Sequence, residues 1–351
     1  FGLHLLRGPI ERAVSEATGR ELRIEGSLRP IWTWVHPRFR VEDVSFANPD
    51  WASERLLFRA DAVEASVSLL PLLAGRVVVS EVHLEQPELN LEMTPDGRKS
   101  WLLDRDQKDE GGSRVFIRDL TLDQASVAYL EPGRRIALAA ELSSEREGVF
   151  FTVEGEYKGL PLVASGLGGH VLALRDTDTP YPLQGEAKFD KTTIDFDGTV
   201  TNIVARDAVD AKIRVRGQSM VQLYEIFGIA FPDTSPYDTS GRFVLADGVR
   251  RYEDFSGKVG KSDLAGTFEF RTAEPRPLMT ATLESKLLNF ADLGPLVGTT
   301  QPSKAGVLPD SPFDTARWDS VDADVTLSAR KIERLDVEPR AKAGVTRKPR
   351  G

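Results

Sequence analysis

The chain has no cysteine and only 3 methionines among its 351 residues. Without thiols it can form neither a disulfide framework nor a zinc site with thiolate ligands. A cysteine-free sequence suits a reducing cytosol and an oxidising periplasm equally, so this absence leaves the compartment open. The four histidines, His4, His36, His83 and His170, are scattered and lack an i, i+4 partner. Because two histidines on one helix face need that spacing to share a metal, we predict no metal site and no cofactor.

Long uncharged runs and an excess of basic charge are also absent. The longest stretch without Asp, Glu, Lys or Arg is the 16 residues from Gly159 to Leu174, whereas a membrane-spanning helix needs about 20 apolar residues. The net charge is −9, and a protein that binds the phosphate backbone of nucleic acid needs a basic face. We therefore expect no transmembrane helix in this sequence and no nucleic-acid partner.

No group of residues indicates catalysis. The segment GKVGKS, Gly257 to Ser262, resembles the end of a phosphate-binding loop, which requires G-x-x-x-x-G-K-[ST] between a strand and a helix. Here Phe255 occupies the position of the first glycine, and the residues that follow alternate like a strand. Carboxylates are numerous but alternate with basic residues, as on the solvated face of a sheet. We predict no catalytic residue, and hence a protein that is not an enzyme.

Hydrophobic residues follow a period of two along most of the chain. Val63 and Ala65 alternate with polar residues, and Phe151 and Val153 do the same. This alternation predicts strands of an antiparallel sheet with one apolar face and one wet face. Periodicity alone leaves two uses for such apolar residues open, because a packed sandwich core and a groove for lipid both require them at alternate positions.

Two segments have a helical pattern instead. Residues 3–18 repeat apolar side chains at steps of three and four, which predicts an amphipathic helix that ends at Gly19. A second, short helix is predicted between Ser219, a favoured N-cap residue, and Gly228.

Three segments repeat a kinked-strand pattern at equal spacing. They begin at Val41, Val79 and Ile117, so that 79 − 41 and 117 − 79 both give 38. The apolar residues change parity at the polar pairs Glu42-Asp43, Ser80-Glu81 and Arg118-Asp119, where β-bulges are expected to bend the strand. Pro87 lacks an amide donor and indicates a second bulge or an edge position. Repeated bends of this kind predict a sheet that curves over a great length.

Several longer segments resemble the amino-terminal part of AsmA-family proteins. They are ATGRELRIEG (17–26), FANPDW (46–51), SLLPLLAGRVVVSEVHLEQPELNLEMTPDGRKSW (68–101), FPDTSPYDTSGRF (231–243), VGKSDLAGTF (259–268) and LESKLLNFADLGPLVG (283–298). The resemblance covers roughly residues 17–330. It implies a periplasmic body anchored in the inner membrane of a Gram-negative envelope by an N-terminal helix that is missing here. It also implies a role in moving phospholipid between the inner and outer membranes, and so in outer-membrane biogenesis.

The resemblance and the periodicity together predict a mainly β fold. We expect a long curved antiparallel sheet of repeated strands that forms an open apolar groove, with a short N-terminal helix and few other short helices. Residues 1–19 are expected to form a stem helix, residues 20–330 the repeated β-groove domain, and residues 331–351 a basic, disordered tail. The residues expected to line the groove and contact an acyl lipid are Val82, Leu84, Leu89, Leu91, Val127, Tyr129, Phe151 and Val153.

An alternative function uses the same fold without lipid. The chain could be a non-enzymatic scaffold that regulates the assembly of outer-membrane proteins such as porins, or their targeting to the membrane. Such a scaffold would bind an envelope protein partner by strand addition to its sheet. Co-purifying lipid distinguishes the two hypotheses, because only the groove requires it.

Overall fold

The computed structural model describes residues 4–31, 38–67, 78–102, 116–203, 207–229, 231–272, 276–289, 291–293, 322–333 and 345–346. The chain forms two compact units, Phe1–Asp176 (unit 1) and Thr177–Gly351 (unit 2).

The described residues of unit 1 form one helix followed by eleven strands. The helix α1 spans His4–Thr18, ends at Gly19 as predicted, and contains Pro9. The strands are β1 (Leu22–Ile24), β2 (Leu28–Ile31), β3 (Arg38–Ala47), β4 (Leu56–Val67), β5 (Val78–Glu85), β6 (Glu88–Glu92), β7 (Phe116–Asp123), β8 (Ala125–Glu131), β9 (Ile136–Glu145), β10 (Gly148–Tyr157) and β11 (Leu160–Gly168). Single-turn 3₁₀ helices lie at Pro132–Arg134 and Val171–Arg175.

The strands of unit 1 pair mainly with their neighbours in the chain. Strands β1 and β2 both pair with β3, and β3 pairs with β4. Strand β4 pairs with β5 along one half and with β6 along the other. Strands β5 and β6 in turn pair in parallel with β7 and β8. From β8 to β11 the order is sequential and antiparallel.

The predicted kinks are present in the repeated strands. Asp43 lies in β3 with a φ of 51°, and Gln86, with a φ of 46°, separates β5 from β6 just before Pro87. Ser80 is the extra residue of a bulge, because the register of β4 against β5 shifts between Ser66 and Val67. The bulge predicted at Ser80-Glu81 is thus confirmed, whereas at Glu42-Asp43 the register of β3 against β4 does not shift, so the irregularity there is a left-handed residue and not a bulge.

The third copy of the pattern follows the second. Strand β7 stays in register with β5 across Arg118, and its left-handed residue Gln124, with a φ of 52°, is the counterpart of Gln86, because 124 − 86 is 38. The parallel pairing also explains the equal spacing of the copies: Leu84 lies opposite Leu122 and Leu89 opposite Val127, and both differences, 122 − 84 and 127 − 89, are 38. The repeat length is therefore the register of the parallel strands.

Helix α1 covers the outer edge of β1. The backbone N–H of Ile24 donates to Oε1 of Glu11 at 2.8 Å, and that of Leu22 donates to Oγ of Ser15 at 3.1 Å. These two N–H groups point away from β3, so an added strand could otherwise bind them. The same bond from Ile24 is the main cause of the lowered pKa of Glu11, with a further contribution from Arg7.

We expect Glu11→Ala to weaken the contact between helix α1 and the edge of strand β1. A carboxylate whose pKa is lowered by folding stabilises the fold above its unfolded pKa, and this contribution is lost as the pH falls through the folded pKa. At neutral pH the protection of the Ile24 amide against hydrogen exchange should therefore fall several-fold, corresponding to about 1 kcal/mol for a partly exposed bond. Wild type should show the same loss as the pH falls below the ordinary Glu value of about 4.3 and through the lowered pKa of Glu11. Glu16→Ala, an exposed site on the same helix, is the control and should leave Ile24 protected.

The described residues of unit 2 form nine strands. They are β12 (Tyr181–Phe189), β13 (Thr192–Thr201), β14 (Ala208–Gly217), β15 (Tyr237–Ala246), β16 (Val249–Val259), β17 (Ser262–Arg271), β18 (Leu278–Asn289), β19 (Asp322–Glu333) and β20 (Val345–Thr346). From β12 to β18 each strand is antiparallel to the next; β19 is parallel to β18, and β20 is antiparallel to β19.

One insert interrupts this sequence of hairpins. Between β14 and β15 it contains a 3₁₀ turn, Met220–Gln222, and the short helix α2, Leu223–Phe227. Oγ of Ser219 accepts from the backbone N–H of Val221 at 3.3 Å, and Gly228 ends the helix with a φ of 72°. The predicted short helix is thereby confirmed. The GKVGKS segment forms the β16–β17 turn, which agrees with its rejection as a phosphate-binding loop.

Glycines on the apolar face of unit 2 lie close to the backbones of neighbouring strands. Gly198 and Gly257 lie on the same face as Ile213 and Val215. A Cβ at Gly198 would come within 2.2 Å of the Asp210 carbonyl oxygen, and one at Gly257 within 2.1 Å of the Asp238 carbonyl oxygen. Only glycine permits so close an approach of neighbouring backbones, which is typical of a deliberately curved sheet.

The predicted fold class is confirmed: the protein is mainly β, with mostly antiparallel pairing in open sheet, an N-terminal helix and few other short helices. Strand β19 continues past the expected domain boundary at residue 330 to Glu333, and β20 pairs with it through Val345 and Thr346. The rest of the expected basic tail, 334–344 and 347–351, lies outside the described residues.

Candidate functional site

The main apolar surface of unit 1 is a row of side chains that crosses the strands. Residues paired across neighbouring strands lie on the same face, so the register defines each row. The longest row crosses eight strands and is apolar throughout; its members are Leu22, Phe46, Phe58, Leu89, Val127, Ala140, Val153 and Ala164. We call it the central row. It brings together three of the predicted groove residues, from β6, β8 and β10.

Two shorter rows flank the central row. One consists of Leu91, Tyr129, Leu138, Gly155 and Leu162, and the other of Ala125, Leu142, Phe151 and Gly166. Across β8–β11 this face carries one charged residue, Glu131, at its end. Its carboxylate accepts a hydrogen bond from the Tyr129 hydroxyl at 3.0 Å and forms an ion pair with Arg134 at 3.1 Å. The surface is therefore apolar and locally neutral.

The side chains in the middle of this surface are only half-buried. Ala125 and Leu162 have exposures of 1% and 7%, whereas Val127, Tyr129 and Val153 retain partial access to solvent. A closed sandwich would bury such residues fully, because protein cores pack as densely as organic crystals. The apolar surface is thus incompletely covered in its middle.

Val82 and Leu84 belong to a second apolar set. Leu84 lies opposite Val63 in β4 and Leu122 in β7, and Val82 lies opposite Ala65 and Leu120. The 38-residue repeat predicts Leu122 as the counterpart of Leu84.

The pairing separates this set from the central row. Phe58 is opposite Leu89 and Val63 is opposite Leu84, and β4 has no register shift against β3 between Phe58 and Val63. An odd spacing of five residues places side chains on opposite faces of a regular strand. The left-handed Gln86 lies between Leu84 and Leu89. That all eight candidates face one concave surface stays a prediction.

Next to Val63 and Leu84, the opposite face carries a cluster of charged side chains that pair with one another. Nη1 of Arg40 lies 2.7 Å from Oε1 of Glu64 and 2.5 Å from Oε1 of Glu85, and its Nη2 lies 2.7 Å from Oε2 of Glu85. The hydrogen bonds from Arg40 lower the pKa of the Glu85 carboxyl. Around Arg40 this face therefore presents paired charges, whereas Phe58, further along β4 on the same face, belongs to the central row.

Several members of the apolar surface were not predicted from the sequence. They are Phe58, Leu138, Ala140, Leu142, Leu162 and Ala164. Each lies in a recognisable alternating strand, but alternation does not tell which strand of a distant hairpin it will face. For the parallel strands the 38-residue repeat could have predicted the pairing, because each residue of β5 or β6 lies opposite the residue 38 positions later.

Within the described part of the chain, no helix combines the length and the hydrophobicity needed to cross a bilayer. Over the same residues, no three His, Asp or Glu side chains are grouped as a metal site would require.

Comparison with known proteins agrees with the segments identified above. The model of the AsmA family matches residues 1–131 and 117–338. The AsmA family protein YhjG of Escherichia coli (strain K12) is 29% identical to this chain, over 95% of the chain and 58% of the relative. The chain therefore spans a little over half the length of that curated relative. No solved structure gives a significant match. Since the family model covers nearly the whole sequence, the chain belongs to the AsmA family.

Proposed function

We propose that this chain binds the acyl chains of phospholipid on the half-buried apolar surface of unit 1, and that it does so without catalysing a reaction. In this proposal it is the periplasmic part of a protein anchored in the inner membrane, and it carries lipid between the inner and outer membranes in support of outer-membrane biogenesis. The observation that supports the proposal most directly is the partly exposed central row around Val127 and Val153.

The free-energy cost of exposing acyl chains to water explains why a lipid carrier needs such a row. Two acyl chains of about 16 carbons would lose on the order of 25 kcal/mol on entering water, at about 0.8 kcal/mol per CH₂. A carrier must therefore provide continuous apolar contact. Seven interstrand steps of about 4.8 Å give the central row a path of roughly 34 Å. The acyl layer of one bilayer leaflet is about 15 Å thick, so the row is long enough to accommodate an acyl chain along its path.

Photo-crosslinking at paired neighbouring positions tests the proposal. A benzophenone amino acid at Val127 or Val153 should label phospholipid in cells, because both side chains belong to the central row. The same group at Ala128 or Thr152, which are exposed on the opposite face of the same strands, should label at least several-fold less. Arg214 is a further control, since it lies on a charged face and pairs with Asp238 at 2.6 Å.

Equal labelling of both faces, or labelling of neither, would contradict the lipid-binding surface and favour the scaffold function. Mass spectrometry of the purified protein gives an independent measurement: stoichiometric phospholipid supports the proposal, and its complete absence opposes it. The inner-membrane anchor is tested separately. If the full-length gene encodes no apolar segment of about 20 residues before Phe1, the proposed anchoring is wrong.

A further inference from the structure

The insert between β14 and β15 is unlike the other antiparallel connections of unit 2. It comprises residues 218–236, while the β12–β13, β15–β16 and β16–β17 hairpins each have two-residue turns. Its two ends meet, because Gly217 and Tyr237 are direct partners in the ladder. Connections of more than about 12–15 residues within a compact domain are uncommon, and ordered ones are usually lids or binding loops. The chain thus leaves the sheet and returns to it at the same place, as in an Ω-loop.

The insert covers the apolar face of the unit 2 sheet. Leu223 of α2 has an exposure of 7% and packs in the same cluster as Ile213. The ring of Phe227 lies 5.7 Å from that of Phe243, and the ring of Phe231 lies 5.4 Å from that of Phe268. These sheet residues belong to a face as continuous and apolar as the central row of unit 1. Side chains of the insert therefore occupy the surface that an acyl chain would contact.

Polar contacts hold the insert mainly near its two ends. Oγ of Ser219 donates to Oδ1 of Asp233 at 2.6 Å and accepts from the backbone N–H of Thr234 at 3.0 Å. Oγ of Ser235 donates to Oδ1 of Asp292 at 3.0 Å. The central part, with α2, packs against the sheet through apolar side chains. A helix of five residues has no stability of its own, so its position depends on that packing.

An acyl chain can replace apolar packing without leaving polar groups unpaired. Lifting α2 from the sheet would expose apolar surface of both, which keeps the insert closed in water. An acyl chain on the sheet would restore the apolar contacts of the sheet, while the terminal hydrogen bonds could remain in place as a hinge. The insert is therefore arranged like a lid. When it is closed, its apolar side chains make the contacts with the sheet that an acyl chain would make.

We propose that the insert is a lid over a second acyl-chain site, formed by the apolar face of β13–β17 in unit 2. This inference rests on the proposed function, because it assigns the same class of ligand to a second surface. It adds that access to the second site requires the lid to move, whereas the surface of unit 1 is open.

A disulfide can lock the lid, since the native chain has no cysteine. Phe227→Cys combined with Phe243→Cys is designed to join α2 to the sheet on oxidation, and Phe231→Cys with Phe268→Cys to provide a second, independent lock; a pair that does not form a disulfide directly is closed with a short, cleavable bis-thiol reagent instead. Phe227→Ser with Phe243→Ser removes the same rings without locking and serves as the control. Melting curves and a gel shift identify variants that are folded and cross-linked.

The experiment uses phosphatidylglycerol vesicles that contain a phospholipid with a diazirine on its palmitoyl chain. Labelled peptides are assigned by mass spectrometry to unit 1, around Val127, and to unit 2, around Ile213. With the locks reduced we expect label in both units. Oxidation should lower the unit 2 label at least tenfold and leave the unit 1 label unchanged. The serine control should not respond to oxidation.

Two results would overturn the lid. One is equal unit 2 labelling in the oxidised and reduced forms of both locks. The other is label around Val127 with none around Ile213 even in the reduced forms, which would leave the proposed function intact. Label in neither unit would overturn the proposed function and the lid together.

Discussion

Val127→Asp is expected to abolish most lipid labelling by the protein. Val127 lies in the central row between Leu89 and Ala140 and is half-buried. A carboxylate on this surface has a short side chain that cannot reach water as a lysine can. Its unpaired burial costs about 1–3 kcal/mol, which corresponds to a roughly 5- to 150-fold loss of acyl-chain binding. The measurement is lipid labelling from a benzophenone at Val153, with a melting curve to exclude unfolding.

Ala128→Asp is the matched control for this prediction. Ala128 is adjacent in the chain but exposed on the opposite face, between Asn90 and Ala139. The same charge at this position should change labelling by less than about twofold, because exposed substitutions cost little. An equal loss of labelling in both variants, or no loss in Val127→Asp, would show that the central row is not the lipid-binding surface.

Asp292→Ala is expected to destabilise unit 2 strongly. Asp292 has an exposure of 6%. Its Oδ2 accepts from the backbone N–H groups of Lys261 and Ser262 at 2.9 and 3.0 Å and from the Ser262 hydroxyl at 2.9 Å. With the bond from Ser235, one carboxylate joins the end of the insert to the β16–β17 turn. Its removal leaves several buried donors without an acceptor, which we expect to cost about 3–5 kcal/mol.

Thermal unfolding measures this effect. For a unit of this size each kcal/mol shifts the midpoint by about 2–4 °C, so a fall of roughly 10 °C is expected. Asp197→Ala is the control, because Asp197 is exposed on the charged face opposite Lys212 and should cost less than about 0.5 kcal/mol. If both variants melt together with wild type, the Asp292 contacts do not stabilise the insert and the turn.

Local patterns in the sequence were sufficient to predict the individual elements. The alternation around Val153 gave a strand, the three- and four-residue steps before Gly19 gave α1, and Ser219 with Gly228 gave the short helix of the insert. The parity change at Ser80 gave a real bulge. Each of these features depends on neighbours a few residues away, because strand faces, helix faces and caps are set by local geometry.

The placement of these elements was decided by the tertiary structure. No sequence pattern indicated that α1 would cover the edge of β1 through Glu11, or that the insert would lie on the apolar face of unit 2. It also did not show that Leu89 and Leu84 would pair with residues of β4 five positions apart. Such contacts join residues distant in the chain, and a shift of one residue in register exchanges the two faces of a strand.

The sequence by itself therefore determined a mainly β protein of kinked, one-sided strands, with a 38-residue spacing that is the register between its parallel strands. Which apolar residues form one continuous row, and which apolar face is open or covered, was decided by long-range strand pairing and by the packing of the insert. The physical reason is that alternation sets the two faces of each strand locally, whereas hydrogen bonds between distant strands set which faces are joined.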